Sequence, residues 1–150
     1  MPGIAGPYAT AVDVGNLGYP QQAFVQLTAD QMTECTNAAS DQCDTFFRGR
    51  WGYDAVPLLV WDFAVRLASA RIAAFLMINV RGYKADSSAD KNIKSGYDMA
   101  IEWLDQVQRQ QKHPLVTLAN NTSVGGAQPI CSTFSVVDLS TGATGTNRGW

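Results

Sequence analysis

Between Val56 and Val80 the chain reads VPLLVWDFAVRLASARIAAFLMINV, and only Asp62, Arg66 and Arg71 carry charge in it. This run constrains the fold more than any other. A membrane-spanning helix rarely tolerates three charges in its hydrocarbon region, so the run reads as a helix buried in protein. Pro57 suits a first helical turn, because its φ is fixed near the helical value and its missing N–H would be unpaired there anyway. The expectation is a helix from Leu58 to about Val80, stopped by Gly82. Its polar strip is narrow, comprising Asp62, Arg66 and Ser69, with Asp62 and Arg66 spaced as an i,i+4 ion pair. A helix apolar nearly all round belongs at the centre of a bundle.

Partners for that helix stand on either side. Thr28 and Gln31 in TADQ fit a capping box, in which each side chain satisfies a backbone N–H of the other residue. Met32, Cys35, Ala39, Cys43 and Phe46 then recur at helical spacing, placing Cys35 and Cys43 in a core stripe. This helix should end near RGRWGYD (Arg48 to Asp54), where two glycines interrupt it. After the polar loop RGYKADSSADKN, Ser87 or Ser88 can cap a further long helix, with Asp90 favourable at its positive end. Ile93, Tyr97, Ala100, Ile101, Leu104 and Val107 form its buried stripe. Arg109 and Lys112 lie near its end and Pro114 prevents continuation. TAVDVGNLG, from Thr10, supports one short helix ending at Gly15 or Gly18. The fold expected is therefore all-α: a small bundle of three long helices and a short N-terminal one.

Charge divides the 150 residues into three parts. Residues 1–27 hold only Asp13, and residues 114–150 only Asp138 and Arg148. Residues 28–113 hold the other ten basic and eleven acidic side chains. The reading is an N-terminal arm with a short helix (1–27), a helical core domain (28–113) and an extended C-terminal arm (114–150). The last segment has no helical period, and Gly125, Gly126, Pro129 and Gly142 would break one. TFSVVDL has strand character. Ile130, Phe134, Val136, Val137, Leu139 and Trp150 make the segment too apolar for a solvated linker, which points to docking on a partner. Overall only 16% of residues are charged, against roughly 25% in typical soluble domains, so part of the surface is expected to be covered.

Motifs for chemistry are few. The single histidine, His113, lies at a helix end and reads as a cation near the helix dipole. Without a second histidine or a cysteine cluster, a zinc site has no ligand set. No phosphate-cradling Gly-rich motif occurs, and the carboxylates are scattered. The three cysteines form no CxxC pair and read as reduced thiols; the N-terminus carries no basic-then-apolar export pattern. No catalytic, cofactor or metal site is expected, and the chain reads as a non-enzyme. The net charge of −2 argues against non-specific nucleic-acid binding. One contact patch stands out: Arg48, Arg50, Trp51 and Tyr53 in RGRWGYD are of the residue types enriched at interface hot spots. The alternative is that Trp51 and Tyr53 fold back over the bundle.

The order of these features resembles a known family. YATAVDVGNLG, FFRGRWG, PLLVWDFAVRLASARIAAFLM and RGYKADSSADKNIKSGYDMAIEWLDQV follow one another, and the chain closes on RGW. Together they look like the small head-completion, or head–tail connector (adaptor), proteins of tailed bacteriophages, in particular the Mu-like branch. The resemblance covers residues 8 to about 112. It implies a structural virion protein at the neck, made in the bacterial host cytoplasm, with no cofactor and no membrane. It further implies a homo-oligomeric ring, usually of twelve copies, beneath the portal protein. Such a ring extends the DNA channel toward a downstream tail or stopper protein, and DNA passes without sequence-specific binding. C-terminal segments of such proteins insert into the portal. Here that would make Ile130, Phe134, Val136, Leu139, Arg148, Gly149 and Trp150 the portal-binding arm. Arg48, Arg50, Trp51 and Tyr53 would face neighbouring subunits or a tail component.

A rival reading from another class is a helical DNA-binding module, such as a small terminase subunit or regulator. Lys91, Lys94, Arg109 and Lys112 would serve it, but Asp90, Asp98, Glu102 and Asp105 lie on the same helix or beside it.

Overall fold

Helices make up most of the computed structural model, which describes residues 7–125. α1 (Ala11–Gly15) is followed by three long helices: α2 (Ala29–Trp51), α3 (Phe63–Arg81) and α4 (Ser88–Gln108). A small antiparallel pair, β1 (Val116–Thr117) and β2 (Ser123–Val124), closes the described part. The all-α bundle expected from the apolar pattern is the fold observed. Short 3-10 turns at Gln21–Ala23 and Tyr53–Ala55 link the helices around α2.

The helix starts follow local chemistry. Thr10 and Asp13 form a capping box at α1, and Thr28 and Gln31 form another at α2. In each, the threonine hydroxyl accepts from the N3 amide while the N3 side chain accepts from the cap amide. Ser87 caps α4. Gly52 and Gly82 end α2 and α3 with φ of 94° and 110°, which side chains with a Cβ rarely adopt.

α3 is the hub, packing against α1, α2 and α4. Val65, Ile72, Ala73, Ala74, Met77 and Ile78 are almost fully withdrawn from solvent along it. It is also the one helix among the described residues long and apolar enough to cross a membrane, and here its neighbours are helices of the same chain. From α2 come Cys35, Ala39, Cys43 and Phe47; from α4 come Ile93, Ala100, Leu104 and Val107. The α2 stripe runs through Phe47, with Phe46 only half-buried. On α4, Tyr97 and Ile101 flank the stripe half-buried, and Gly96 lies in it. A Cβ at Gly96 would collide with the Tyr19 hydroxyl, so the glycine lets the N-terminal segment lie close on α4.

Two expectations about the helices are corrected. First, α3 begins at Phe63 rather than Leu58. Residues 56–62 are not helical, and Leu59 and Val60 run alongside β1: Leu59 N–H donates to Thr117 O and Thr117 N–H to Val60 O, both at 2.8 Å. Pro57 does not open a helix; it follows a cis peptide bond with Val56. Second, Asp62 does not pair with Arg66. It is the N-cap of α3, accepting from Val65 N–H at 3.1 Å and from Leu115 N–H at 2.9 Å. Ser69, placed on the same polar strip, is fully buried beside Cys43. Asp90 stands in the first turn of α4, at the positive end where it was expected. It is fully buried in an ion pair with Arg81 and accepts from Lys84 N–H at 2.8 Å. Burial works against its ionised form, but the Arg81 hydrogen bond and the Lys84 amide outweigh this and hold the carboxyl below its ordinary pKa.

The segments read as arms join the core within the described residues. Tyr8, Ala9 and Val14 are buried, and so are Val116 and Leu118. The chain turns back after Leu118 and reaches Gly125 with φ 102°, where a Cβ would collide with the Pro114 carbonyl. Residues 114–124 thus form a lid of the helical core.

Candidate interaction surfaces

Tyr8 ties the N-terminal segment to the bundle through four bonds. Its backbone N–H donates to Ser40 Oγ at 2.8 Å, and its carbonyl accepts from Trp61 Nε1 at 3.0 Å. Its hydroxyl donates to Asp44 Oδ1 and accepts from Leu58 N–H at 2.9 Å. The ring meets Trp61 edge-on at 4.9 Å between centroids and lies 6.1 Å from Phe47. Burial raises the Asp44 carboxyl to about 6, although the Tyr8 hydrogen bond and Arg48 favour its charged form. Burial, with Asp44 beside it, pushes the Tyr8 phenol far above its usual range. The pair is structural, with Tyr8 only 1% and Asp44 8% exposed.

The RGRWGYD patch is divided by the fold. Arg48, Arg50 and Trp51 lie in the last turn of α2, and only Tyr53 belongs to the following turn. Arg50 is occupied internally. Its guanidinium donates to Val107 O at 2.8 Å, to Lys112 O at 2.5 Å and, from Nη2, to His113 Nδ1 at 2.8 Å. It also lies 4.8 Å from the Trp51 ring centre. These bonds cap the carbonyl end of α4 and the loop after it. Since arginine can only donate, His113 Nδ1 is the acceptor, and the ring lies beyond the helix rather than in its last turn. α4 ends at Gln108, five positions before His113, and its C-cap is Arg109. Trp51 folds back on Phe47 at 5.6 Å, whereas Tyr53 is 85% exposed. Of the four patch residues, Tyr53 and Arg48 remain on the surface.

The larger apolar surfaces lie at the two ends of α3. At its N-terminal end Phe63 is 70% exposed, and Leu59, Val60 and Leu115 stand out near it in the strands and lid. A groove beside Phe63 runs between α1 and α3, lined by Leu17, Tyr19, Leu67 and Ala70, with Arg66 and Arg71 on its rim. Leu67 and Arg71 are shared with a second groove that continues over α4 at Met99 and Trp103. At the C-terminal end of α3 a separate groove of about 550 Å³ lies against α2. Leu76, Val80, Cys35 and Ala38 form its floor, and Asp30 and Glu34 are its charged residues. Arg66, Arg71, Asp30 and Glu34 have no ion-pair partner among the described residues.

Sequence reading missed both surfaces because it assigned the apolar residues of α3 wholesale to the core. The signal available was excess. Phe63 and Leu67, and Leu76 and Val80, lie at i,i+4 spacing outside the stripe that α2 and α4 cover.

Ile130, Phe134, Val136, Leu139, Arg148, Gly149 and Trp150, the expected portal-binding arm, lie outside the described residues. Among the described residues no group of His, Cys, Asp and Glu could hold a metal ion. The two described cysteines are buried free thiols, and burial pushes the pKa of Cys43 up. No protein-family model, curated protein or solved structure matches the chain.

Proposed function

We propose that the protein is a structural virion component, a head–tail connector (adaptor) that forms a ring under the portal and extends the DNA channel toward the tail. The observation that carries this reading is the ordered likeness of YATAVDVGNLG, FFRGRWG, PLLVWDFAVRLASARIAAFLM and the RGYKADSSADKN-to-Val107 stretch to that family. Those four stretches fall on α1, the end of α2, the run into α3 and the whole of α4, so the likeness spans one helical core. Two features add support. The core leaves apolar side chains uncovered at both ends of its central helix, as a subunit that lives between neighbours requires. Residues 126–150 supply a nearly uncharged, apolar-rich segment that ends in Trp150.

In this reading the segment from Ile130 to Trp150 docks into the portal. Phe134, Val136, Leu139 and Trp150 would supply its apolar contacts. The test is a pull-down with a portal protein, comparing the full chain with one lacking residues 130–150. Loss of capture on truncation is expected, and retained capture would refute the arm. The DNA-binding alternative draws little support from α4, where Lys94 pairs with Asp98 and Arg109 with Asp105, each at 3.0 Å. Tight, salt-dependent DNA binding by the isolated chain would favour that alternative and sink the connector reading.

A further inference from the structure

The two apolar surfaces of α3 differ in a way that bears on how copies of this chain meet. The groove beside Phe63 carries Arg66 and Arg71. Asp13 lines it too, accepting from the Thr10 amide and hydroxyl, so the basic side chains outnumber the acidic one by two to one. The groove at Leu76 and Val80 carries Asp30 and Glu34 and no basic residue. The surfaces are apolar at the centre and opposite in charge at the rim. They also face apart. At 3.6 residues per turn, Leu67 and Leu76 point about 180° away from each other around α3. Phe63 and Val80 are separated along the axis by about 25 Å at ~1.5 Å per residue. One molecule cannot bring them together, but two can.

We infer that these surfaces are the two halves of a single head-to-tail contact, in which Phe63 of one copy enters the Leu76–Val80 groove of the next, with Arg66 and Arg71 facing Asp30 and Glu34. Same-surface pairing is disfavoured on both sides, since it sets arginine against arginine or carboxylate against carboxylate. A contact between unlike surfaces leaves one of each free on the pair, so it propagates and, with the right rotation, closes into a ring. The inference rests on the connector reading for ring closure, while the pairing of surfaces follows from their shape and charge. With eight or nine residues lining each groove, against roughly 20–30 a side in a standard interface, a single contact is weak and becomes durable on closure.

The test is concentration-dependent NMR of the full chain, with Phe63→Asp, Val80→Asp, Arg66→Glu, Glu34→Arg and the double Arg66→Glu/Glu34→Arg variant. Each substituted side chain is exposed, and aspartate is favourable in the first turn of a helix, so Phe63→Asp keeps the fold. Shifts that grow with concentration are expected around Phe63 and around Val80 together. Phe63→Asp and Val80→Asp each abolish them alone, yet an equimolar mixture of the two forms a dimer that goes no further. Each single charge reversal weakens association by roughly fivefold, and the double variant recovers it. A chain that stays monomeric throughout, or shifts confined to one surface, would overturn the inference. So would concentration-independent contacts from Val80 to Ile130 or Phe134, because the groove would then hold the chain's own C-terminal segment. Self-association through these surfaces without portal capture would refute the connector reading and leave this one standing.

Discussion

Replacing Tyr8 by phenylalanine removes one oxygen atom and tests how the N-terminal segment is held. The hydroxyl makes two bonds in a site only 1% exposed: it donates to Asp44 and accepts from Leu58 N–H. Losing the bond to a carboxylate costs about 1.5–3 kcal/mol, and leaving the Leu58 amide unpaired costs about 1–3 kcal/mol more. Partial relaxation and water entry reduce the sum, so a loss of about 3 kcal/mol at pH 7 is expected, or roughly 10 °C in Tm for a chain of this size. The ring contacts with Trp61 and Phe47 survive, which confines the loss to hydrogen bonding. The loss also depends on pH with a defined sign. The Tyr8 bond favours ionised Asp44, so without it the folded-state pKa climbs further above about 6. The Tyr8→Phe penalty is therefore smallest below pH 4, where folded Asp44 is protonated with or without the Tyr8 hydroxyl, and grows as pH rises through 6. Urea unfolding followed by circular dichroism at pH 4 and pH 7 measures both. A loss under about 0.5 kcal/mol at pH 7, within the range of ordinary surface substitutions, or a penalty larger at pH 4, would refute the account.

Three further substitutions probe the polar groups at the ends of α3 and the start of α4. Asp62→Ala removes the α3 cap and the bond to the Leu115 amide, so a loss of about 1–2 kcal/mol in urea unfolding is expected. Arg66→Ala should change stability by less than about 0.5 kcal/mol, and equal effects of the two would restore the ion pair that the spacing suggests. Asp90→Ala strands Arg81 in a buried site, for a loss of about 3–5 kcal/mol by the same assay. A loss under about 1 kcal/mol would show Arg81 escaping to solvent, as ordinary surface arginines do.

Much of the bundle was legible because its signals are local. TADQ, DSSADK and the glycines at 52 and 82 each act within one turn of chain, and each marks a boundary of α2, α3 or α4. The stretch from Val56 to Asp62 was misread for the opposite reason. Its apolar content fits a helix, and what overrides that is pairing with Thr117, more than fifty residues away. Asp62 was read as an i,i+4 partner because spacing along one helix is visible in sequence, whereas a helix that starts at Phe63 turns the same residue into its cap. Arg50 shows the same limit. Its residue type fits an interface, but its acceptors at Val107, Lys112 and His113 come together only when α2 and α4 pack. The uncovered ends of α3 were hidden by the richness of the run itself, since no local signal says which apolar residues of a central helix exceed what its neighbours can cover.

The strip at Leu59 and Val60 has a consequence for how the chain reaches its fold on a ribosome. Helices α2, α3 and α4 are consecutive, and most of their contacts join neighbours in sequence, so they can assemble once residue 108 has left the tunnel. The amides and carbonyls around Leu59 and Val60 find Thr117 only later, after the lid has emerged, and Ala55 likewise waits for Ala119. Synthesis thus passes through a species with a formed bundle and an open edge between α2 and α3. The edge is closed by almost the last described residues to leave the tunnel. A release stalled short of residue 117 would leave that edge unpaired and ready to join another strand.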